Sequence, residues 1–197
     1  MIYFTADPHF AHKHVCRICA RPWPQEDNDA QLIRRWNAVV TAKDTVYVLG
    51  DFSFAGSKIY WASILEQLNG VIYLLEGNHD RKALARFRKE CANEILIPKK
   101  QDGNSVVILP LPQIEMRVEN YPVTINHYPM RSWNGLCHGT YHLFGHVHGR
   151  LDWEDIGLSV DVGVDNPRWN YAPASWAQVQ AYMEKEKQRI EERKNGQ

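Results

Sequence analysis

Short runs of apolar, β-branched and aromatic residues recur along the chain, and in its first half they alternate with longer amphipathic stretches. The short runs predict strands at Ile2 to Thr5, Thr45 to Leu49, Val71 to Leu75, Val123 to Ile125 and Tyr141 to Phe144. The longer stretches repeat apolar residues at helical spacing and predict helices at Ala30 to Val40, Ser57 to Leu68 and Lys82 to Cys91. A β-α-β-α-β order with right-handed crossovers predicts parallel strands whose carboxyl ends lie along one edge of a sheet.

The second half of the chain has shorter strand-like runs, separated by prolines and by the turn sequence Asp102-Gly103-Asn104. They lie at Glu94 to Ile97, Val106 to Leu109, Ile114 to Val118, Val123 to Ile125 and Leu158 to Val164. Their spacing is typical of a β-meander, so we expect a second sheet built from the carboxyl half. A final helix begins near Ser175, where Ser175 and Gln178 can form a capping box. We expect its charged end to be solvated rather than to bind a partner.

A short polar motif follows each of the five main strand-like runs. In chain order the motifs are Asp7-Pro8-His9, Gly50-Asp51, Gly77-Asn78-His79-Asp80, Asn126-His127 and Gly145-His146-Val147-His148-Gly149. Ligand sites in open α/β sheets lie at the carboxyl ends of the strands, so the fold would bring these motifs together. Carboxylate, amide and imidazole groups are the ligands that a hydrolase offers to hard divalent metals. The pattern therefore predicts a metal site.

The spacing within the motifs suggests how these ligands are shared. The predicted ligands are Asp7, His9, Asp51, Asn78, His127, His146 and His148. Asp7 and His9, two residues apart, suit one ion, whereas His146 and His148 are placed so that one serves each of two ions. Asp51 is isolated after a glycine and is the natural bridge between them. Glycines directly before three of the ligands let the backbone turn sharply and approach the metals.

The composition is that of an ordinary globular domain, with 197 residues, 44% hydrophobic content and 23% charged content, and we expect a single domain. The formal net charge is zero, so no general field attracts nucleic acid or an anionic membrane. The amino terminus has no basic region, and no apolar run approaches the roughly 18 residues needed to cross a bilayer. We therefore expect a cytoplasmic protein.

Cys16 and Cys19 form a C-x-x-C pair, with His12 and His14 just before it. The pair could be a zinc clip or a redox pair, but no second C-x-x-C accompanies it. On one short helix, both cysteines would instead pack as small apolar residues, and this is the interpretation we favour. The other two cysteines have no visible partner, so we expect all four to be reduced.

The five motifs, in this order, resemble the signature of the calcineurin-like metallophosphoesterases. The similarity extends from Ile2 to about Val164, looks like that of the small single-domain bacterial and phage members, and has Pro8 as its one unusual residue. It implies a four-layer α/β/β/α sandwich of two mixed β-sheets in one domain, residues 1–197. It also implies that one metal binds Asp7, His9, Asp51 and His148, and that the other binds Asp51, Asn78, His127 and His146.

The resemblance implies a dinuclear phosphoesterase that hydrolyses a phosphomonoester or a phosphodiester through a metal-bound hydroxide. Two divalent ions, two carboxylates and one hydroxide sum to a charge of about +1, which favours an anion. Two manganese ions are the expected cofactors, and the same ligands accept iron, zinc, nickel or cobalt. His79 would stabilise the phosphoryl oxygens or protonate the leaving oxygen, with Asp80 as its orienter.

Two other functions stay open. A non-catalytic scaffold of the same fold would bind metal without hydrolysis, although such a platform has no need for His79. A nuclease acting on short nucleic acid is the second, since zero net charge and the lack of a basic arm argue against binding of a long duplex. We expect a small phosphoester substrate, such as a nucleotide, and no membrane partner, while the oligomeric state is left open.

The loop from Tyr128 to His142 connects two metal-bearing motifs and is too polar and too rich in glycine for a strand. It is either a structural loop with Trp133 packed on the core or a substrate loop at the rim of the site. In the second case Arg131 would grip a phosphate oxygen, Trp133 would stack on a base or sugar, and His138 would add a donor. The substrate-binding candidates are Arg131, Trp133, His138 and His12.

Overall fold

The computed structural model describes residues 1–90, 95–97, 100–151 and 157–195. The strands in this part are β1 (Ile2–Thr5), β2 (Thr45–Val48), β3 (Val71–Leu74), β4 (Ile95–Ile97), β5 (Val106–Ile108), β6 (Gln113–Val118), β7 (Tyr121–Asn126), β8 (Tyr141–Phe144), β9 (Ser159–Asp161) and β10 (Ala174–Ser175). The α-helices are α1 (Val15–Ile18), α2 (Asn28–Val39), α3 (Lys58–Leu65), α4 (Arg81–Glu90) and α5 (Trp176–Asn195). The strands predicted before the five motifs, and the helices between the first three, are confirmed with small shifts at their ends.

The first sheet has the strand order β10-β1-β2-β3-β5-β4. Strands β1, β2, β3 and β5 are parallel, and the edge strands β10 and β4 are antiparallel to their neighbours. The register places Thr5 beside Val48 and Val48 beside Leu74, so the first three strands end at the same level. This confirms the common edge that the alternation of strands and helices predicted.

Two of the short runs join the first sheet and not the second, contrary to our expectation. β5 pairs in parallel with β3, with Val106 beside Ile72, and β4 pairs antiparallel with β5. Val106 and Ile108 are fully buried, so β5 extends the apolar interior of the first sheet. A run of apolar residues shows that a strand forms, but it does not show which sheet edge the strand joins. Glu94 and Cys91, at the ends of a predicted strand and helix, lie outside the described residues.

The second sheet has the order β6-β7-β8-β9, with an antiparallel hairpin of β6 and β7 and parallel pairing of β7, β8 and β9. Alternate residues of the first sheet face two different apolar clusters, as the pleat requires. One cluster joins Val46 to Trp61 and Phe87 of helices α3 and α4. The other joins Phe4 to Leu143 of the second sheet. Two mixed sheets with helices confirm the α/β class and the paired sheets of the expected sandwich.

Helix α5 begins with the predicted capping box. The Ser175 backbone N–H donates to Gln178 Oε1 at 2.9 Å, and the Ser175 hydroxyl accepts from the Gln178 N–H at 3.3 Å. Trp176 and Met183 pack into the cluster between the sheets, whereas the residues beyond are largely exposed, as expected. None of the described helices combines the length and the apolar composition that a membrane span needs.

Candidate metal centre

The five polar motifs converge where the strands of both sheets end. Asp51 Oδ2 lies 3.8 Å from His9 Nε2 and 3.6 Å from His127 Nε2. His9 follows β1 of the first sheet and His127 follows β7 of the second, so one carboxylate oxygen lies between imidazoles carried by different sheets. A carboxylate in this position is suited to bridge two cations.

Two groups of donor atoms lie here, and within each group the atoms lie within 4.8 Å of one another. The Asp51 carboxylate belongs to the second group and lies beside His9 of the first. The first group is Asp7, His9 and His148, and the second is Asp51, His127 and His146. In the first group His9 Nε2 is 3.3 Å from His148 Nε2 and 3.9 Å from Asp7 Oδ1. In the second, His127 Nε2 is 3.0 Å from Asn78 Oδ1. The structure therefore brings all seven predicted ligands together.

The chemistry of these donors fits a cation. Asp7 Oδ1 and His9 Nδ1 are buried without a hydrogen-bond partner, and a buried carboxylate oxygen without a partner is costly. Burial, followed by the charges of Asp161 and Asp51, raises the pKa of Asp7 well above its ordinary value. Burial and the neighbouring His148 lower the pKa of His9 to about 2. Carboxylates crowded beside neutral imidazoles are the environment that a divalent metal stabilises.

Outer hydrogen bonds set the orientation of two of the imidazoles. Nδ1 of His127 is 2.8 Å from the Leu49 carbonyl oxygen, and Nδ1 of His148 is 2.8 Å from Asp165 Oδ2. Because those oxygens only accept, each Nδ1 carries the proton and donates it. The Nε2 atoms, which face the donor groups, are then left as lone-pair ligands.

The backbone is strained at most of the predicted ligands. Positive φ angles occur at Asp7 (56°), His9 (52°), Asp51 (54°), His146 (72°) and His148 (51°). Residues other than glycine seldom adopt this left-handed region, and each such residue costs about 1–3 kcal/mol. Strain of this kind collects at functional sites because the surrounding structure must hold each side chain in one direction.

Two of the glycines that precede the predicted ligands lie so close to other side chains of the site that a Cβ atom would not fit. Gly50 has a φ of +93°, and a Cβ atom there would lie 2.6 Å from Nδ1 of His127. A Cβ atom at Gly77 would overlap the carboxylate of Asp51. This agrees with the prediction that these glycines let the backbone approach the metals.

His79 stands beside the donor groups and belongs to neither of them. Its side chain is 45% exposed, and its Nε2 is 3.9 Å from Asp51 Oδ2. Its backbone N–H donates to Asp51 Oδ1 at 2.9 Å. The imidazole therefore reaches solvent next to the Asp51 carboxylate.

Asp80 does not orient His79, contrary to our expectation. Its carboxylate is fully buried and accepts from the backbone N–H groups of Phe52 (2.9 Å), Ser53 (3.3 Å) and Gly77 (3.2 Å). Burial, followed by the charge of the Asp51 carboxylate, raises its pKa to about 7. Asp80 therefore fastens the segment after β2 to the segment after β3. Neighbours in a chain seldom face each other at the start of a helix, and adjacency alone had suggested the wrong partner.

Trp133 is buried, and the substrate-stacking role expected for it is wrong. Only 6% of its surface is exposed, and its indole N–H donates to the Thr140 carbonyl at 2.8 Å. Its ring also packs 5.0 Å from that of His142. The structural alternative is therefore correct for this residue.

The other substrate-binding candidates lie nearer to solvent. Arg131 and His138 are exposed, and His12 is half-buried. The His12 ring is 5.9 Å from that of His9, so the structure places it next to the first group of donors. The substrate-binding roles of these three residues stay predictions.

Asp165 and Arg21 form hydrogen bonds next to the donor groups, and no sequence motif indicated either residue. Arg21 Nε donates to Asp165 Oδ1 at 2.7 Å, and its Nη2 donates to the Asp7 carbonyl at 3.0 Å. β9 ends at Asp161, so Asp165 follows a strand end as the other motifs do. The predicted strand continued to Val164 and hid this pattern.

The C-x-x-C pair packs beside the centre. Cys16 is buried, and Cys19 Sγ lies 3.4 Å from His148 Nδ1. Cys19, His148 and Asp165 also bring donor atoms together, but the Asp165 carboxylate is already paired with Arg21. Burial, followed by the Asp165 charge, raises the pKa of the Cys19 thiol to about 12, so the thiol keeps its proton. This agrees with the packing role that we favoured.

Parts of this chain are similar in sequence to known proteins. A family model described as calcineurin-like phosphoesterase matches residues 1–169. The uncharacterized protein MJ1445 of Methanocaldococcus jannaschii is 43% identical over 82 residues, which are 41% of this chain and 47% of that protein. The gene 66 protein of Mycobacterium phage L5 is 36% identical over 80 residues, 40% of this chain and 39% of that protein. The matches thus span less than half the length of either relative.

A solved structure shares the fold. The crystal structure of AQ665 from Aquifex aeolicus, a protein of unknown function, superposes with a TM-score of 0.62 at 20% identity. The match covers 92% of this chain and 98% of that one. At 20% sequence identity, this structural similarity shows a shared fold and nothing about function.

Proposed function

The chain belongs to the calcineurin-like phosphoesterase family, and we propose that it is a metal-dependent hydrolase that uses two divalent cations to cleave a small phosphomonoester or phosphodiester. The observation that carries this proposal is the position of Asp51 Oδ2, 3.8 Å from His9 Nε2 and 3.6 Å from His127 Nε2. A single-metal site has no need for a carboxylate that belongs to one group of donors and also adjoins an imidazole of another.

The proposed ligand sets follow the two donor groups. One cation takes Asp7, His9, Asp51 and His148, and the other takes Asp51, Asn78, His127 and His146. The unpartnered oxygen of Asp7 supports the first set, and the short separation of His127 Nε2 from Asn78 Oδ1 supports the second. We propose manganese as the metal, with iron, zinc, nickel and cobalt as ions that the same ligands accept.

In this proposal His79 acts on the substrate. When bound, the two cations lower the pKa of a water molecule and neutralise the phosphoryl oxygens. The water loses a proton to solvent, its oxygen bonds to phosphorus, and the bond from phosphorus to the leaving oxygen breaks. His79 then gives the proton on its Nε2 to that leaving oxygen and regains one from solvent. Asp80 contributes indirectly, because it holds the segments that carry Asp51 and Asn78.

The proposed substrate is small, and nucleotides are included. Arg131, His138 and His12 are the proposed contacts to it, and zero net charge argues against binding of a long duplex. A scaffold without catalysis is the alternative, and activity separates it from an enzyme.

The test is metal removal followed by a substrate panel. Protein stripped by a chelator, with removal verified by elemental analysis, should be inactive on phosphomonoesters, phosphodiesters and cyclic nucleotides. Added manganese should restore hydrolysis of at least one class, and the other ions should be compared with it. Full activity in excess chelator would overturn the proposal. Metal uptake without hydrolysis of any ester would favour the scaffold instead.

A further inference from the structure

Two aromatic side chains are exposed beside the donor groups, and no metal-binding role accounts for them. Phe54 is 40% exposed and Tyr128 is 46% exposed. The chain has six phenylalanines, all within the described residues, and the other five are between 0 and 1% exposed. Leaving a phenyl ring in water forfeits the free energy that burial provides. Phe54 is therefore held at the surface of this site and not packed into the core.

Phe54 adjoins the histidine that we propose as the acid. Its ring centroid is 4.3 Å from that of His79, with an interplanar angle of 30°, and 5.3 Å from that of His9. Its backbone is fixed, because the Phe54 N–H donates to the Phe10 carbonyl at 2.9 Å. Phe54 therefore presents an exposed apolar surface beside His79, at a backbone position that this hydrogen bond holds.

Tyr128 adjoins the other donor group. Its ring centroid is 5.0 Å from that of His127 and 4.7 Å from that of His146. Its backbone N–H donates to Asn126 Oδ1 at 2.8 Å, so its position is also set by the chain. The two exposed rings thus contact different imidazoles. Phe54 contacts those of His9, His12 and His79, and Tyr128 contacts those of the second group.

We propose that Phe54 and Tyr128 form two aromatic subsites, one for each organic group of a phosphodiester. Phe54 holds the group that leaves, because it lies against His79, and Tyr128 holds the group that stays on phosphorus. A phosphomonoester carries one organic group and would leave the Tyr128 surface empty. Aromatic rings bind planar groups by stacking, so the favoured class is a phosphodiester with aryl or nucleoside groups. This inference rests on the proposed function.

The experiment compares two diesters that share one leaving group. Methyl p-nitrophenyl phosphate keeps a methyl group on phosphorus, whereas bis(p-nitrophenyl) phosphate keeps an aromatic ring. Tyr128→Ala should lower kcat/KM for the second ester about 10-fold more than for the first, the size expected for one lost stacking contact. Tyr128→Phe keeps the ring and should restore the wild-type ratio.

Phe54 should give a different pattern on the same two esters. Phe54→Leu should raise KM about 10-fold on both, because the leaving group is the same, and Phe54→Tyr should restore it. Metal content should stay at the wild-type level in every variant. Leu111→Ala removes another exposed apolar side chain, 58% exposed, and is the matched surface control.

Each outcome has one meaning. Equal losses on both esters in Tyr128→Ala, or no loss, would overturn the retained-group subsite. A Phe54→Leu variant that loses metal, or loses kcat with KM unchanged, would show that Phe54 supports the ligands and binds no leaving group. If the metal-loaded wild type hydrolyses neither these diesters nor any phosphomonoester, the proposed function itself fails and this inference with it. Hydrolysis of monoesters alone overturns this inference and leaves the proposed function standing.

Discussion

The carboxylate of Asp165 accepts a hydrogen bond from Nδ1–H of His148 at 2.8 Å, and the Nε2 atom of that imidazole lies 3.3 Å from Nε2 of His9. Arg21 grips the same carboxylate with two N–H groups, at 2.7 and 2.9 Å, and donates to the backbone carbonyl of Asp7. Burial alone would raise the pKa of Asp165, but Arg21 and His148 lower it to about 2. An ionised carboxylate of this kind orients a metal-binding histidine and makes it more basic.

We therefore expect Asp165→Asn to weaken one of the two metal sites. The variant keeps the size of the side chain but loses the charge, and the affinity for one ion should fall about 10- to 100-fold. Calorimetric titration of the metal-free protein with manganese measures this directly. Asp102→Asn is the control, because Asp102 bonds to Gly70 and Lys100 away from the centre. Two sites with wild-type affinity in Asp165→Asn would show that His148 needs no such partner.

The bridging role proposed for Asp51 leads to a second prediction, on metal stoichiometry. Asp51→Asn should weaken both ions, because the proposed bridge contributes to each. Asp7→Asn should mainly affect one, since Asp7 belongs to one donor group. Elemental analysis after dialysis against buffer without metal compares the two variants. Two ions firmly retained in Asp51→Asn would contradict the bridge.

The convergence of the candidate ligands could be predicted from the sequence because each of them follows the end of a strand. Parallel strands finish along one edge, so the residues after β1, β2 and β3 had to meet whatever the loops do between them. The pairing of β5 with β3 could not be predicted, because an apolar run does not show which neighbour it will take. The strained backbone at Asp7 and Asp51 could not be predicted either, since it depends on the assembled site.

The hydrogen bonds that surround the candidate ligands could not be predicted from the sequence for a related reason. Asp80 binds three backbone N–H groups of segments that the fold brings together, and nothing in its neighbourhood in the chain indicates them. Asp165 and Arg21 are 144 residues apart. Trp133 lies in a polar loop that suggested a position at the rim of the site, but its indole N–H donates to a buried carbonyl. Which polar groups a fold must satisfy internally becomes visible only when the elements are packed.

A third prediction separates catalysis from metal binding at His79. His79→Ala should keep both ions, because His79 belongs to neither donor group. Its rate should fall roughly 100- to 10,000-fold if the imidazole protonates the leaving oxygen. The loss should shrink for a p-nitrophenyl ester, whose leaving group needs no proton. Steady-state rates on alkyl and p-nitrophenyl esters, with metal content measured in parallel, decide between the roles. Equal losses on both would assign His79 to the phosphoryl oxygens instead.

The last prediction concerns the dependence of stability on pH and the buried imidazole of His142. Its Nε2 accepts from the Met130 N–H at 3.2 Å, and its Nδ1 lies 3.2 Å from the Thr124 carbonyl, to which it donates. Both ring nitrogens are thus satisfied in the neutral form, and a second proton would point at an N–H donor. Burial lowers the pKa of this imidazole to about 4.

Between pH 6.5 and pH 4 the unfolded chain therefore binds a proton at His142 that the folded chain does not. The stabilisation is present in full above the unfolded pKa of about 6.5 and is lost as the pH falls toward 4. Lowering the pKa of His142 from about 6.5 to about 4 corresponds to about 3 kcal/mol of unfolding free energy. His142→Gln cannot titrate, so the unfolding free energy of the wild type should fall by about this amount relative to the variant over that range. Urea unfolding at several pH values measures the difference, and effects of metal loss cancel because both proteins share the ligands.

His138→Gln removes an exposed imidazole and should leave the wild-type profile unchanged. Parallel profiles for the wild type and His142→Gln would mean that His142 accepts its proton in the folded protein as readily as in the unfolded chain.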